Sequence, residues 1–416
     1  MQAPTPLRRR PGVLASAAAG LVLAAGCAAA DDWVLPHSLD EAVRMERQNA
    51  LPLTAFYDAP ALAGTQPGAL LRQEPFTGYA TPTGARAVRI LYHSLDAAGH
   101  DVATSGVVLI PAGAAPAGGW PVIAWAHGTT GVARMCAPSL QKDMAYGEEG
   151  LMPMVRAGFA VVATDYHGLG TQGPHQYLAK LAQARDVVYS LPAARAAVPE
   201  LGRPWVVIGH SQGAAASWGA AELEATLKDP DFRGAIAVSG AADLTPQMAA
   251  MGRPGSSAAY YLVYMAYAIH ARNPAFQPSE MLDGVALSRY DDATTQGCWN
   301  YVYASFLGKN DAPVVKPGWN HLAAVEEFAR AREFGREPVG GPLLVLTGEA
   351  DQTVLFPLVK VTVKRACEHG IALAFRSYPG LDHDPTMDKS TPDQLAWVRE
   401  RLAGKPFANG CAQLAL

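Results

Sequence analysis

The sequence predicts an α/β protein: a mostly parallel sheet of eight strands, helices on both faces, and one helical insertion late in the chain. Three observations carry this. Short apolar, β-branched runs alternate with longer helical patterns, the mark of strands covered on both sides. One such run, Val206-Val207-Ile208, stops at Gly209-His210-Ser211-Gln212-Gly213 and passes straight into Ala214-Ala215-Ala216. Residues 241–341 break the alternation once, with helix-like pieces cut by prolines.

The chain of 416 residues is 50% hydrophobic and 17% charged, enough to bury a large core. A net charge of -4 leaves no basic stripe, which excludes nucleic acid as a partner.

Residues 1–30 read as an export signal rather than as fold. Arg8-Arg9-Arg10 is a positive start, and Val13 to Gly26 is apolar and small. Two endings stay open. Leu23-Ala24-Ala25-Gly26-Cys27 resembles a lipoprotein signal, which makes Cys27 a candidate for lipidation and the chain's only link to a membrane. Ala28-Ala29-Ala30 fits release of a soluble protein. The expected location is therefore secreted, periplasmic or on the outer membrane. Export also changes how the cysteines read. Cys136, Cys298, Cys367 and Cys411 are an even number in an oxidising compartment, and three pairings are open. No Cys/His spacing points to a metal.

Residues 31–85 read as an irregular extension with one helix near Leu39–Asn49. Strands follow at Ala87–Tyr92, Thr104–Pro111, Trp120–Ala126, Gly158–Asp165, Trp205–Ile208, Ala235–Ser239, Leu343–Leu346 and Ile371–Tyr378. Helical patterns occupy Gly150–Ala157, Tyr177–Ala197, Gln212–Thr226, Pro357–Glu368 and Pro392–Ala403. The core is expected in 31–240 and 342–416, with 241–341 as a cap over the sheet edge that bears the chemistry. The uncharged Tyr/Met stripe of the cap (Tyr260, Tyr261, Tyr264, Met265, Tyr267) reads as cap core or as the wall of an apolar acyl site.

A strand, a sharp turn and a helix around G-x-S-x-G present Ser211 as a nucleophile beside unpaired helix N–H groups. A serine hydroxyl needs a base, and the base needs an orienting acid. On such a sheet these follow in the order Ser, Asp/Glu, His. Asp351 ends the turn after Leu343-Leu344-Val345-Leu346 and is the expected acid, with Glu349 as the alternative. His383 is the expected base. Of the histidines, only His369 and His383 follow the acid, and His369 reads as a helix end. Asp382 and Asp384 flank the base and are expected to orient its loop or raise its pKa. The oxyanion donors are expected at the Gln212 and Thr129 N–H groups, with Gly128 next for the second. His127 and His210 read as braces, and Asp165 to Thr171 as a loop at the same edge.

Taken in order, Ala126-His127-Gly128-Thr129-Thr130-Gly131, Cys136-Ala137-Pro138-Ser139, Asp165-Tyr166-His167-Gly168-Leu169-Gly170-Thr171, Gly209-His210-Ser211-Gln212-Gly213, and the late Asp351 and His383 resemble the secretory lipase family of α/β-hydrolases. That family holds the fungal lipase A type and bacterial exported relatives. The likeness runs from about Phe76 to Cys411. It implies an α/β-hydrolase fold with a cap after the sixth strand, and disulfides Cys136–Cys298 and Cys367–Cys411, worth roughly 4 kcal/mol each in the entropic view. It implies hydrolysis of carboxylic esters, from triacylglycerols to short acyl esters, with a small-molecule or lipid ester as partner and no metal or organic cofactor. The fungal type carries an acidic residue in the loop where this chain has Thr129 and Thr130. Two other readings share the sequence. A serine amidase or aminopeptidase would need an acidic patch for a substrate amine. A non-catalytic surface binding protein would lack one of Ser211, Asp351 and His383.

Overall fold

A computed structural model describes residues 1–2, 34–309 and 311–414. The chain divides into Met1–Val34 and Leu35–Leu416, and the second unit carries the fold. Most of the export-signal segment, Cys27 included, lies outside the described residues.

One sheet organises the second unit. Its strands are β1 (Leu70–Phe76), β2 (Arg86–Leu95), β3 (Asp101–Ile110), β4 (Trp120–Ala126), β5 (Ala160–Thr164), β6 (Leu201–His210), β7 (Phe232–Val238), β8 (Leu343–Gly348) and β9 (Leu373–Tyr378). Their order is β1-β2-β3-β5-β4-β6-β7-β8-β9. From β5 to β9 every pairing is parallel, and β1, β2, β3 and β5 pair antiparallel.

The sheet therefore has nine strands, not the expected eight. The extra one is β1, an edge strand. Its sequence, Leu70-Leu71-Arg72-Gln73-Glu74-Pro75-Phe76, has charge on a half-exposed edge and a proline. Neither is tolerated in a central strand, but an edge admits both. The other strands match their expected positions with ends shifted by a few residues.

Helices cover both faces. The early ones are α1 (Leu39–Asn49), α2 (Met152–Arg156), α3 (Lys180–Ala197) and α4 (Gln212–Leu227). Between β7 and β8 lie α5 (Leu244–Met251), α6 (Tyr261–Arg272), α7 (Pro278–Met281), α8 (Gly284–Ser288), α9 (Tyr290–Thr295), α10 (Trp299–Ser305) and α11 (Ala323–Arg330). Last come α12 (Phe356–Glu368), α13 (His383–Lys389) and α14 (Thr391–Leu402). Strand side chains alternate between faces. Val122, Ala124, Val207 and Val345 share one apolar cluster with Ala184 and Leu191 of α3, Ala215 and Trp218 of α4, and Val359 of α12. Ile123, Trp125, Val206 and Ile208 point the other way and are equally buried. On that face α14 packs on β6 and β7, and α2 on β5.

The segment between β7 and β8 has its own apolar cluster. Leu262, Tyr264 and Met265 of α6 are buried in it with Met248 of α5 and Phe328 of α11. Val132, Tyr177 and Leu178, from loops at the sheet edge, join the same cluster. The Tyr/Met stripe thus packs as core of this segment, apart from half-buried Tyr267. Disulfides join Cys136 to Cys298 and Cys367 to Cys411, across separations of 162 and 44 residues. The first fastens the loop after β4 to the start of α10. The Glu46 carboxylate of α1 fastens the same point, accepting the N–H groups of Cys298 at 3.1 Å and Tyr301 at 2.8 Å.

Candidate active site

Ser211 sits between β6 and α4 with φ 57° and ψ −116°. A non-glycine residue in that region stores on the order of 1–3 kcal/mol, held in place by the surrounding structure. The turn is clamped by the Ser211 N–H donating to the Val238 carbonyl at 2.9 Å and the Ala214 N–H donating to the Ser211 carbonyl at 3.0 Å. The two glycines of the motif have a steric reason. A Cβ at Gly209 would lie 1.9 Å from the Gly213 carbonyl oxygen, and one at Gly213 would lie 1.9 Å from that of Ala126. The helix therefore starts against the sheet at a distance that excludes any side chain.

β6 lies between β4 and β7, near the middle of the sheet, and its carboxyl end faces the loops that follow β4, β8 and β9. Parallel sheets gather functional loops at this edge. His383 Nε2 lies 2.8 Å from Ser211 Oγ, and His383 Nδ1 lies 2.9 Å from Asp351 Oδ2. All three residues are buried. The other Asp351 oxygen accepts the N–H groups of Thr353 at 2.9 Å and Val354 at 2.8 Å, so the carboxylate is held at both ends. Glu349 is exposed and bonds instead to the Ser377 hydroxyl at 2.7 Å. The geometry separates the two acids.

His383 is the first residue of α13, not part of an open loop. Asp382 caps that helix, accepting the His383 N–H at 2.8 Å and the Gln352 N–H at 3.0 Å. Burial pushes the imidazole pKa down, but the Asp351 charge and hydrogen bond, with the charges of Asp384 and Asp382, outweigh it and raise the value to about 9. Asp384 is itself raised above the ordinary carboxylate range, chiefly by burial.

Thr129 lies in the loop after β4, and Gln212 follows Ser211 as the first residue of α4. No described protein group accepts either backbone N–H. Their side chains are tied down. The Thr129 hydroxyl bonds to the Tyr177 hydroxyl at 2.9 Å, and Gln212 Nε2 donates to His175 Nε2 at 3.1 Å. His175 in turn donates from Nδ1 to the His167 carbonyl at 2.9 Å. Burial drives the His175 pKa down to about 3, which keeps its ring neutral and able to accept. Sequence reasoning missed His175 and Tyr177, which stand far from both partners in the chain and have no motif.

The brace readings of His127 and His210 agree with their surroundings. His127 is wedged between the carbonyls of Gly128 and Asp165, at 2.6 and 3.1 Å, with burial lowering its pKa to about 4. The His210 ring centroid is 4.8 Å from that of His383, and its Nε2 lies 3.3 Å from the His383 carbonyl. Gln247 of α5 reaches the turn that bears Asp351, donating to the Thr353 carbonyl and accepting the Leu355 N–H at 3.2 Å. His210, His383 and Asp384 offer ligand atoms within 4.8 Å of one another, the grouping among the described residues that could close on a metal ion. Both His383 nitrogens are already engaged by Ser211 and Asp351, so a metal there would compete with that hydrogen-bonded chain.

The comparisons with known proteins agree with the fold. A family model described as secretory lipase matches residues 138–410. No curated protein sequence matches the chain. The structure is similar to Candida antarctica lipase A in its closed state, with a TM-score of 0.71 and 16% identity over 86% of this chain and 89% of that one. It is also similar to a ligand-bound form of the rice cell wall degrading esterase LipA from Xanthomonas oryzae, with a TM-score of 0.65 and 18% identity over 83% of this chain and 99% of that one. At such identities the likeness carries the α/β-hydrolase fold alone. The family match spans well over half of the chain and carries the activity class, an ester hydrolase. The chain belongs to the secretory lipase family.

Proposed function

We propose that this chain is an exported carboxylic ester hydrolase that works by acyl transfer through Ser211. The observation that supports it most is the hydrogen-bonded chain from Ser211 Oγ through His383 to Asp351, at 2.8 and 2.9 Å, on a turn strained enough to need a reason. In this reading His383 Nε2 takes the Ser211 proton as the oxygen attacks the ester carbonyl. Asp351 holds the Nδ1–H tautomer and stabilises the imidazolium. The N–H groups of Gln212 and Thr129 meet the developing oxyanion, where donors in a dry site weigh most. The imidazolium returns its proton to the leaving alcohol. Water, deprotonated by the same nitrogen, then cleaves the acyl-enzyme, and the acid departs.

The segment 241–341 acts as a cap in this reading, with its own core and a disulfide tying it to the loop after β4. Export is supported by the arginine-led apolar start of the sequence and by the two disulfides. No helix among the described residues is long and apolar enough to cross a membrane. An active-serine phosphonate tests the mechanism. Its adduct should fall on the peptide containing Ser211 and disappear after prior acylation by a slow ester substrate. Labelling at another serine would contradict the assignment.

A further inference from the structure

Arg332 lies in the turn after α11 and is only 6% exposed. Burial pushes its pKa down to about 10, which still leaves a cation at neutral pH. A buried charge normally finds a counter-charge or a full set of hydrogen bonds. Other buried arginines here do. Arg89 donates to the Tyr79 hydroxyl at 2.7 Å, the Ser139 carbonyl at 3.1 Å and Glu74 at 3.2 Å. Arg401 has an unpartnered Nε too, but it donates to the carbonyls of Lys405 at 2.8 Å and Pro406 at 3.1 Å and has Glu400 as counter-charge at 3.9 Å.

Arg332 does not. Among the described residues it forms no ion pair, its Nε has no partner, and its Nη2 reaches only the Gly240 carbonyl at a long 3.4 Å. The carboxylate that acts on it electrostatically, Asp243, is engaged elsewhere. Arg365 grips both Asp243 oxygens, at 2.7 and 2.8 Å, and the Phe334 N–H adds a third bond at 3.1 Å. Two guanidinium groups share one carboxylate, and one positive charge is left over. The Phe334 ring, 5.7 Å from the guanidinium carbon, offers a weak cation–π contact in its place.

This charge touches the backbone that packs on the Ser211 turn. Gly240, whose carbonyl Arg332 touches, packs on the nucleophile: a Cβ there would lie 2.1 Å from the Ser211 carbonyl oxygen. Tyr177, the other group acting on Arg332, holds Thr129 through its hydroxyl. We infer that Arg332 is a carboxylate subsite beside Ser211, which seats the free carboxylate of an anionic ester or of a released acid. A guanidinium edge with unused N–H donors matches a carboxylate in shape and charge. The inference rests on the ester-hydrolase reading.

The test compares p-nitrophenyl hydrogen adipate with its neutral methyl diester, using the full-length enzyme. The expected ratio of kcat/KM favours the anionic ester by about tenfold or more, the size of a charge-assisted hydrogen bond, and falls with added salt. Arg332→Leu should collapse that ratio towards one, and Arg332→Lys should restore part of it. Competitive inhibition by free adipate, lost in Arg332→Leu, assigns the site to released acids as well as to substrates. An equal kcat/KM for both esters in the unmodified enzyme, with no inhibition by adipate, would overturn the inference even if the leucine variant failed to fold. Turnover of the neutral diester that depends on Ser211 keeps the ester-hydrolase reading separate from this outcome.

Discussion

His383 Nδ1 lies 2.9 Å from Asp351 Oδ2, and this contact reverses the effect that burial alone would have on the imidazole. The pKa rises to about 9 instead of falling. A general base works only when neutral. The value of kcat/KM should therefore climb about tenfold per pH unit through neutrality and level off near pH 9. A plateau already reached at pH 6 would contradict the assignment.

Asp384 adds to that shift from the residue next to the base. Asp384→Asn removes a negative charge, so the imidazolium loses stabilisation and the His383 pKa falls. The rising limb should move to lower pH, and activity at neutral pH should increase relative to the plateau. An unmoved limb would show that Asp384 does not act on His383.

Buried neutral histidines weaken the fold on the acid side. His127 has a pKa of about 4 and His175 of about 3, both depressed by burial. The unfolded chain takes up protons near pH 6.5, where the folded protein does not. Their contribution is full above that value and is lost as pH falls towards 4. For His383 the sign is opposite: its contribution is full below about 6.5 and is lost as pH rises through about 9. Thermal melts of the Ser211→Ala protein should give a highest Tm between these two losses. A Tm still rising steadily below pH 5 would refute this.

The glycines of the turn are steric requirements. Gly213→Ala would set a Cβ 1.9 Å from the Ala126 carbonyl oxygen, with backbone on both sides. The expected cost is about 4 kcal/mol or more, in the range of the severe core substitutions, read as a large drop in Tm or loss of soluble protein. Gly158→Ala serves as the contrast. Its added Cβ meets nothing within 4 Å, and only the strain of φ +90° remains.

The meeting of Ser211, Asp351 and His383 was legible because each is tied to local punctuation. Ser211 follows a buried strand and stands between two glycines, and Asp351 ends the turn after another. His383 was reached by elimination. The capping signal of Asp382 at the start of α13 was also in the sequence, but the reading of an open loop overlooked it. β1 was not legible because Pro75 and its charges resemble loop composition, and only an edge position accommodates them. Glu46, His175, Tyr177, Gln247 and Arg332 were invisible for a different reason. Each meets a partner that the topology alone brings near, so no spacing along the chain records the contact.

Glu46 shows this best. Its carboxylate takes backbone N–H groups at the start of α10, beside the Cys136–Cys298 bridge. Burial raises its pKa against the effect of those bonds. Glu46→Ala should lower stability by about 1–2 kcal/mol, as loss of a helix cap does, and Glu46→Gln by less. A Tm unchanged in both would mean that α1 does not hold this segment.

The most direct test of the central claim is turnover of a p-nitrophenyl ester series, from short to long acyl chains, by the full-length enzyme and by Ser211→Ala. The variant should lose on the order of 10⁴–10⁶ in kcat on every ester that the unmodified enzyme cleaves, with its Tm retained. Ordinary turnover by a folded Ser211→Ala protein would contradict it.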